Sequence, residues 1–262
     1  MYHHRLIISY KGTNYFGWQD LGASEQKPTV EASIYQVLKK ICKYQSCTIS
    51  VASRTDAGVH AQGQVLKITI ALAIQSDKLL LGMNSLLPHD IRILECHPCS
   101  AEFNANKDSK SKEYHYYFST DSIHNPIVYD IVDHIPFNNS DSNIGSLDIE
   151  LMQQACKLFI GEHDFYSFAK RDTNMNSTLR TVLSCEILLS QSSLLGNKIY
   201  YLKIRGTGFL RHMVRYIAGA LFSLGQNQLS LSDISEALEN HKEEKISSKA
   251  KARGLHLIEI FY

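Results

Sequence analysis

Hydrophobic and polar positions divide the first hundred residues into short strands and amphipathic helices. Alternation or short apolar runs predict strands at residues 4–10, 48–51, 64–70 and 91–94. Apolar residues recur at helical spacing from Val30 to Ile41, just after Pro28, and a second helix is predicted from Asp77 to Leu87. Strands and helices that alternate through short connections are typical of an α+β or α/β layer.

A polar stretch from Asn104 to Lys112 follows, and we predict two subdomains, residues 1–104 and 105–262. The second part is again a mixture of strands and helices. Its predicted elements are an aromatic strand at 113–118, a long loop at 135–148, a helix at 147–160, antiparallel strands at 180–189 and 198–205 joined across Gln191–Ser193, a helix at 210–224, and a further helix before a last strand at 256–262.

Composition places the chain among folded proteins without a strong overall charge. It has 262 residues, a net charge of +1, 44% hydrophobic and 20% charged residues. No global basic field indicates a nucleic-acid partner, so a site for a polyanion would have to be a local patch. Lys245, Lys249, Lys251 and Arg253 form one such basic stripe. No secretory or membrane-spanning apolar segment is evident, and we expect a cytoplasmic protein.

The six cysteines do not predict a disulfide framework, because thiols stay reduced in a chain without an export signal. Cys96 and Cys99 have ligand-like spacing, and Cys42 with Cys47 could complete a zinc site. Ordinary cysteines in and beside a surface turn are the favoured interpretation.

The stretch with the strongest chemical character runs from Ser53 to Ala61, between two predicted strands. Asp56 lies two residues after Arg54 and four before His60, and Gly58 permits a tight turn. A nearby cation would keep the carboxylate ionised, as a nucleophile requires. Taken alone, however, Asp56 is better explained as a turn residue that bonds backbone N–H groups.

Three further segments carry residues that could support this chemistry. Two glycines among aromatic residues in Tyr10–Gln19 predict a packed loop with Trp18 as its core anchor. On the aromatic strand, alternation places Tyr114 and Tyr116 on one face, where they could stack on an unpaired base or simply pack in the sheet. Arg211 and Arg215 are one helical turn apart, a spacing usual for a solvated basic face.

Together these segments resemble the tRNA pseudouridine synthase A (TruA) family over almost the whole chain. Arg54–Ala61 is similar to the catalytic motif of that family. The other similar segments, in the family's order, are Tyr10–Gln19, Asn84–Ile91, Phe103–Tyr116, Gly161–Phe168, Phe209–Leu221 and Gly254–Leu257. Mild departures are Ser53, Lys67, Asn104, Asn106 and Lys251, which affect details of RNA contact rather than the chemistry.

The resemblance implies an α+β fold, with two α/β subdomains that share a largely antiparallel central sheet and an active-site cleft between them. It implies a homodimer without a cofactor that isomerises uridine to pseudouridine at positions 38–40 of the tRNA anticodon stem-loop. Asp56 matches the nucleophile and Tyr114 the tyrosine that stacks on the base. Arg215 matches the arginine that pairs with the carboxylate. Arg54 and Leu255 match residues that hold the substrate.

Two alternatives are weighed against this interpretation. A non-catalytic RNA-binding or chaperone module of the same fold would use Tyr114, Arg211 and the terminal lysines for binding, with Asp56 as a turn residue only. A base-excising glycosidase would use Asp56 as its nucleophile and release free uracil. The intact Arg54–Gly58 motif argues against the RNA-binding module, whereas detection of free uracil in place of pseudouridine would identify the glycosidase. Both are minor alternatives to the synthase.

Overall fold

The computed structural model describes residues 1–19, 28–135, 147–170, 177–191, 198–240 and 245–262. Residues 22–27, whose polar composition predicts a loop, lie outside this range. So do most of the predicted loop at 135–148 and of the predicted turn at 191–193. Two compact units are present, Met1–Lys110 together with His256–Tyr262, and Ser111–Leu255. The predicted division into independent subdomains at 104/105 stays a prediction.

The described residues contain ten strands and five α-helices. The strands are β1 (Tyr2–Tyr10), β2 (Cys47–Val51), β3 (His60–Ile70), β4 (Ile91–Pro98), β5 (Ser111–Ser119), β6 (Asp133–His134), β7 (Gly161–Asp164), β8 (Leu179–Leu189), β9 (Ile199–Gly206) and β10 (Leu255–Phe261). The helices are α1 (Val30–Ile41), α2 (Ser76–Leu86), α3 (Ile149–Cys156), α4 (Met213–Gly225) and α5 (Leu231–Glu239).

The first unit is a mostly antiparallel sheet with β3 at its centre. β1 and β2 pair with β3 antiparallel, and β1 also pairs with β4 antiparallel. The exception is β10, which runs parallel to β3 with His256 opposite His60. Alternate residues of β1 are buried, with Leu6 and Ile8 fully inaccessible, because successive strand side chains point to opposite faces.

The second unit is built on an antiparallel series of strands in which β5 pairs with β9, β9 with β8 and β8 with β7. Short β6 adds to β5 in parallel. The predicted alternation along β5 is confirmed, since Tyr114, Tyr116 and Phe118 are buried while His115 and Tyr117 are half-buried. Phe118 makes an edge-to-face contact with Phe222, so the buried face of β5 packs against α4.

Side-chain caps fix where several helices begin. The Thr29 hydroxyl accepts a hydrogen bond from the Ala32 N–H and starts α1, as Asp148 does for α3. Ser230 and Asp233 form a reciprocal capping box at the start of α5. Each cap satisfies a backbone donor that the first helical turn leaves without an intrahelical partner.

Two predicted boundaries were wrong for reasons that local sequence does not reveal. β3 begins at His60 rather than Gln64, because β1 and β10 extend its pairing; Gly63 is needed there, as a Cβ would lie 2.3 Å from the Ile258 carbonyl oxygen. α4 begins at Met213 rather than Leu210, because His212 has a left-handed backbone with φ of 65°.

The fold is α+β with mostly antiparallel strand pairing, as predicted. None of the helices in the described part of the chain is long and apolar enough to cross a membrane.

Candidate active site

The loop that carries Asp56 lies directly on the N-terminal loop of the same unit. The Trp18 N–H donates to the Thr55 carbonyl at 3.0 Å. Gly17 has a φ of +92°, and a Cβ there would lie 2.8 Å from the Thr55 carbonyl oxygen, so this contact requires glycine. Trp18 is 1% exposed, which confirms its predicted role as the anchor of the loop.

Buried side chains hold the loop at its first residues. The Tyr10 and Thr55 hydroxyls are hydrogen-bonded at 2.7 Å. The fully buried Gln64 amide donates to the Ser53 carbonyl at 2.6 Å and accepts from the Ser53 N–H at 3.2 Å. Tyr10 belongs to β1 and Gln64 to β3, so these bonds tie the loop backbone just before Asp56 to two strands. None of them involves the Asp56 side chain.

The turn itself is closed by backbone atoms. The Val59 N–H donates to the Asp56 carbonyl at 3.1 Å, and Gly58 adopts a φ of 78°. Asp56 is half-buried and Arg54 is exposed. A backbone hydrogen bond and a glycine therefore close the turn that carries Asp56.

His60 anchors the other end of the loop. Its ring is 2% exposed, accepts a hydrogen bond from the Gly12 N–H at Nδ1 (3.1 Å), and stacks on His256 with centroids 4.5 Å apart. Because Nδ1 accepts, a neutral His60 carries its proton on Nε2. Sequence reasoning noted only the spacing of His60 from Asp56 and missed this role, as it also missed Gln64.

In the second unit, Tyr114 lies on the buried face of β5. It is 6% exposed and meets Phe209 edge-to-face, with ring centroids 5.3 Å apart. The predicted orientation of Tyr114 is thus confirmed, and its ring is held by an aromatic neighbour that follows β9.

Arg215 is the third residue of α4 and is 9% exposed. Its Nε donates to the Ala250 carbonyl at 2.8 Å, and its own carbonyl accepts from the Ala250 N–H at 3.1 Å. The expectation of a shared solvated face with Arg211 was wrong, because Arg211 precedes the helix and is exposed while Arg215 is buried in it. A buried arginine needs fixed partners, and the segment around Ala250 supplies them.

Leu255 ends this segment and is 6% exposed. Within the units, Asp56 and Arg54 belong to the first, whereas Tyr114, Arg215 and Leu255 belong to the second. The pairing of Asp56 with Arg215 stays a prediction.

The cysteines lie in different surroundings from those predicted. Cys96 is a buried residue of β4 and not part of a surface turn, and burial raises its thiol pKa to about 11, which disfavours the thiolate that a metal ligand requires. Cys42 and Cys47 are buried too. In the part of the chain that the structure describes, no group of three or more His, Cys, Asp and Glu side chains could hold a metal ion.

Comparison with known proteins gives concordant results. The family model described as tRNA pseudouridine synthase matches residues 6–106 and 155–262. The tRNA pseudouridine synthase A 2 of Desulfotalea psychrophila is 50% identical over 99% of this chain and 98% of its own length. The tRNA pseudouridine synthase A of Listeria innocua is 35% identical over the full length of both chains.

Among solved structures, a Cbf5–Nop10–Gar1 complex aligns with 97% of this chain and 48% of the matched chain, with a TM-score of 0.33 and 11% identity. That likeness is too distant to support an inference. The chain belongs to the tRNA pseudouridine synthase A family, a family of isomerases.

Proposed function

We propose that the protein isomerises uridine to pseudouridine in the tRNA anticodon stem-loop, at positions 38–40, with Asp56 as the nucleophile. Membership of the family supports the reaction and the tRNA substrate. The observation that carries the role of Asp56 is its place on a turn closed by backbone atoms and anchored by Tyr10, Gln64 and His60. Such anchoring holds the backbone that carries the carboxylate and limits its motion.

The reaction breaks the bond between N1 of uracil and C1′ of ribose and forms a bond from C5 to C1′. The proton on C5 is lost and N1 gains one, so atoms and electrons balance without a redox partner. Asp56 can act by attack on C1′, by attack on C6, or by assisting glycal formation, and all three require an ionised carboxylate.

The remaining site residues serve the carboxylate and the base. Arg215 would keep Asp56 ionised by pairing with it, and Arg54 and Leu255 would hold the nucleotide. The target base must leave its stack, at a cost of about a few kcal/mol. Stacking on Tyr114 offsets part of that cost, by about 1–3 kcal/mol.

The decisive experiment compares the chain with Asp56→Asn in single-turnover assays on tRNA. We expect pseudouridine formation to fall by more than about a thousandfold, because the amide cannot act as the nucleophile, while tRNA binding is retained. Asp77→Asn, at an exposed position of α2, is the matched control and should leave the rate unchanged.

Retained turnover by Asp56→Asn would overturn the proposed mechanism. Free uracil as the product would identify a glycosidase, and binding without any conversion by the unmodified chain would identify an RNA-binding module. Mapping pseudouridine along the product tRNA tests the assignment to positions 38–40.

We also infer that the protein acts in the cytoplasm as a homodimer, as the family resemblance implies. Light scattering should then give a mass of twice the 29.7 kDa of one chain. A mass of one chain at the concentrations used for assay would contradict the dimer.

A further inference from the structure

A buried carboxylate in the second unit has no assigned role in the proposed reaction. Asp133, in β6, is 2% exposed. It accepts hydrogen bonds from the Tyr116 hydroxyl at 2.8 Å and from Arg253 Nε at 3.4 Å, and Lys251 Nζ lies 3.6 Å away. Burial of a charge is costly unless it is paired, and these partners supply the pairing.

Tyr116 connects this carboxylate to the segment 250–254, which precedes Leu255. Its fully buried hydroxyl lies 2.9 Å from the Lys251 carbonyl as well as 2.8 Å from Asp133. Both partners are acceptors, so the single hydroxyl hydrogen is shared between them. Burial raises the pKa of Tyr116 well above its ordinary value, and Asp133 adds to the rise while Arg215 and Arg253 oppose it.

This segment is also bonded to Arg215, through Ala250, the residue before Lys251. Ala250 exchanges two hydrogen bonds with Arg215, one of them from the guanidinium Nε. At the other end, a Cβ on Gly254 would lie 2.7 Å from both the Tyr116 ring and the Tyr117 carbonyl oxygen. The segment 250–254 therefore packs closely on Tyr116. It also makes polar contacts with Arg215, through Ala250, and with Asp133, through Lys251 and Arg253.

We propose that Asp133 is a positioning residue for Arg215. By holding Tyr116, Lys251 and Arg253, it fixes the Ala250 carbonyl that orients the guanidinium. The inference rests on the proposed function, because it assigns Asp133 an effect on pseudouridine formation through Arg215. Two of its partners lie in the segment 250–254, and the Lys251 side chain is 61% and the Arg253 side chain 21% exposed, so these ion pairs add little to stability. Their better-attested contribution is a fixed geometry.

The kinetic test uses Asp133→Asn and Tyr116→Phe, singly and together, in single-turnover assays on tRNA. We expect each single variant to slow pseudouridine formation by about ten- to hundredfold, since a small displacement of a reacting group has effects of that size. The affinity for tRNA should change by less than about twofold. The double variant should be no slower than the slower single variant, because residues that act as one unit are not additive.

Asp121→Asn is the matched control, because the Asp121 carboxylate is bonded to the Ser119 hydroxyl at 2.6 Å rather than to the 250–254 segment. Circular dichroism and melting curves identify any variant that fails to fold; Tyr116→Phe, which removes one oxygen only, then carries the test alone. Multiplicative effects of the two substitutions, or a rate for Tyr116→Phe equal to that of the unsubstituted chain, would overturn the proposal.

A second readout does not depend on activity. The Nε–H signal of Arg215 in a nitrogen–proton correlation spectrum, identified by its absence in Arg215→Lys, should be sharp in the unsubstituted chain and in Asp121→Asn. It should shift or broaden in Asp133→Asn. An unchanged signal would overturn the proposal even if the unsubstituted chain made no pseudouridine, an outcome that would instead overturn the proposed function.

Discussion

Lys112 lies two residues before Tyr114 on β5, so the two side chains point to the same face of the strand. Burial lowers the pKa of Lys112 from 10.5 to about 8, because the charged form loses hydration. The folded chain thus releases this proton at a lower pH than the unfolded chain does. Below pH 8 the lysine is charged in both states, and the loss of hydration on burial lowers the free energy of unfolding by its full amount. This destabilisation disappears as the pH rises from 8 towards 10.5.

We therefore predict that Lys112→Met stabilises the protein at pH 7 and that the advantage shrinks as the pH approaches 10.5. Urea unfolding of both chains at several pH values measures the difference in unfolding free energy. The pH dependence that other groups contribute to both chains is removed by this subtraction. Lys78→Met, at an exposed position of α2, is the matched control for removal of a lysine. A constant difference for Lys112→Met would contradict the prediction.

The candidate site could be predicted from sequence only where residue type and motif order carry the information. Asp56, Tyr114 and Arg215 are predicted in this way, and their roles stay predictions. His60, Gln64 and Asp133 were not, because each acts through partners that are distant along the chain, such as Gly12 for His60. A lone acid between apolar residues, as in Ile131–Ile135, was the one available signal for Asp133.

At the scale of elements, α4 owes its position to close contact with the segment that follows α5. Gly219 faces the Ser248 carbonyl oxygen, and a Cβ at this position would lie only 2.0 Å from it. The helix backbone and the segment therefore touch directly, and this contact supports the Arg215–Ala250 bonds nearby.

Gly219→Ala should lower the free energy of unfolding by about 1–3 kcal/mol, because the backbone of the segment must move away from α4. Gly82→Ala in α2 is the matched control. Its nearest atom is the Ile41 Cδ1 at 3.7 Å, so the substitution should raise stability by about 0.5–1 kcal/mol through helix propensity. Chemical denaturation of both variants checks the signs, and a neutral Gly219→Ala would contradict the close contact.

Periodicity predicted the types of most elements but missed the short strands β6 and β7, and it did not fix the ends of the elements. The spacing of Val30, Ile34 and Leu38 was sufficient for α1, which also begins at a capping threonine. The start of α4 depends on the left-handed His212, and the start of β3 depends on strands far away in sequence. Such boundaries are set by tertiary contacts, which a local pattern does not contain.

At the scale of the whole molecule, a net charge of +1 means that RNA must be bound by a local patch of basic residues. Of the four residues predicted as a basic stripe, Lys251 is exposed, with 61% of its side chain accessible, whereas Lys245, Lys249 and Arg253 are half-buried. Each phosphate contact contributes about 0.7–0.9 to the slope of log affinity against log salt.

We predict that Lys251→Gln reduces the salt dependence of tRNA binding by about that amount for one contact, 0.7–0.9. Titrations at several potassium chloride concentrations measure the slope. Lys78→Gln is the control for an exposed lysine on α2 and should leave the slope unchanged. An unchanged slope for Lys251→Gln would place the phosphate contacts elsewhere.

The parallel pairing of β10 with β3 has a consequence for how the protein is made. His60, which anchors the Asp56 loop, stacks on His256, and these two residues emerge from the ribosome far apart in time. At translation rates of about 5–20 residues per second, the interval is roughly ten to forty seconds. The nascent Asp56 loop therefore lacks this support until residue 256 has been synthesised.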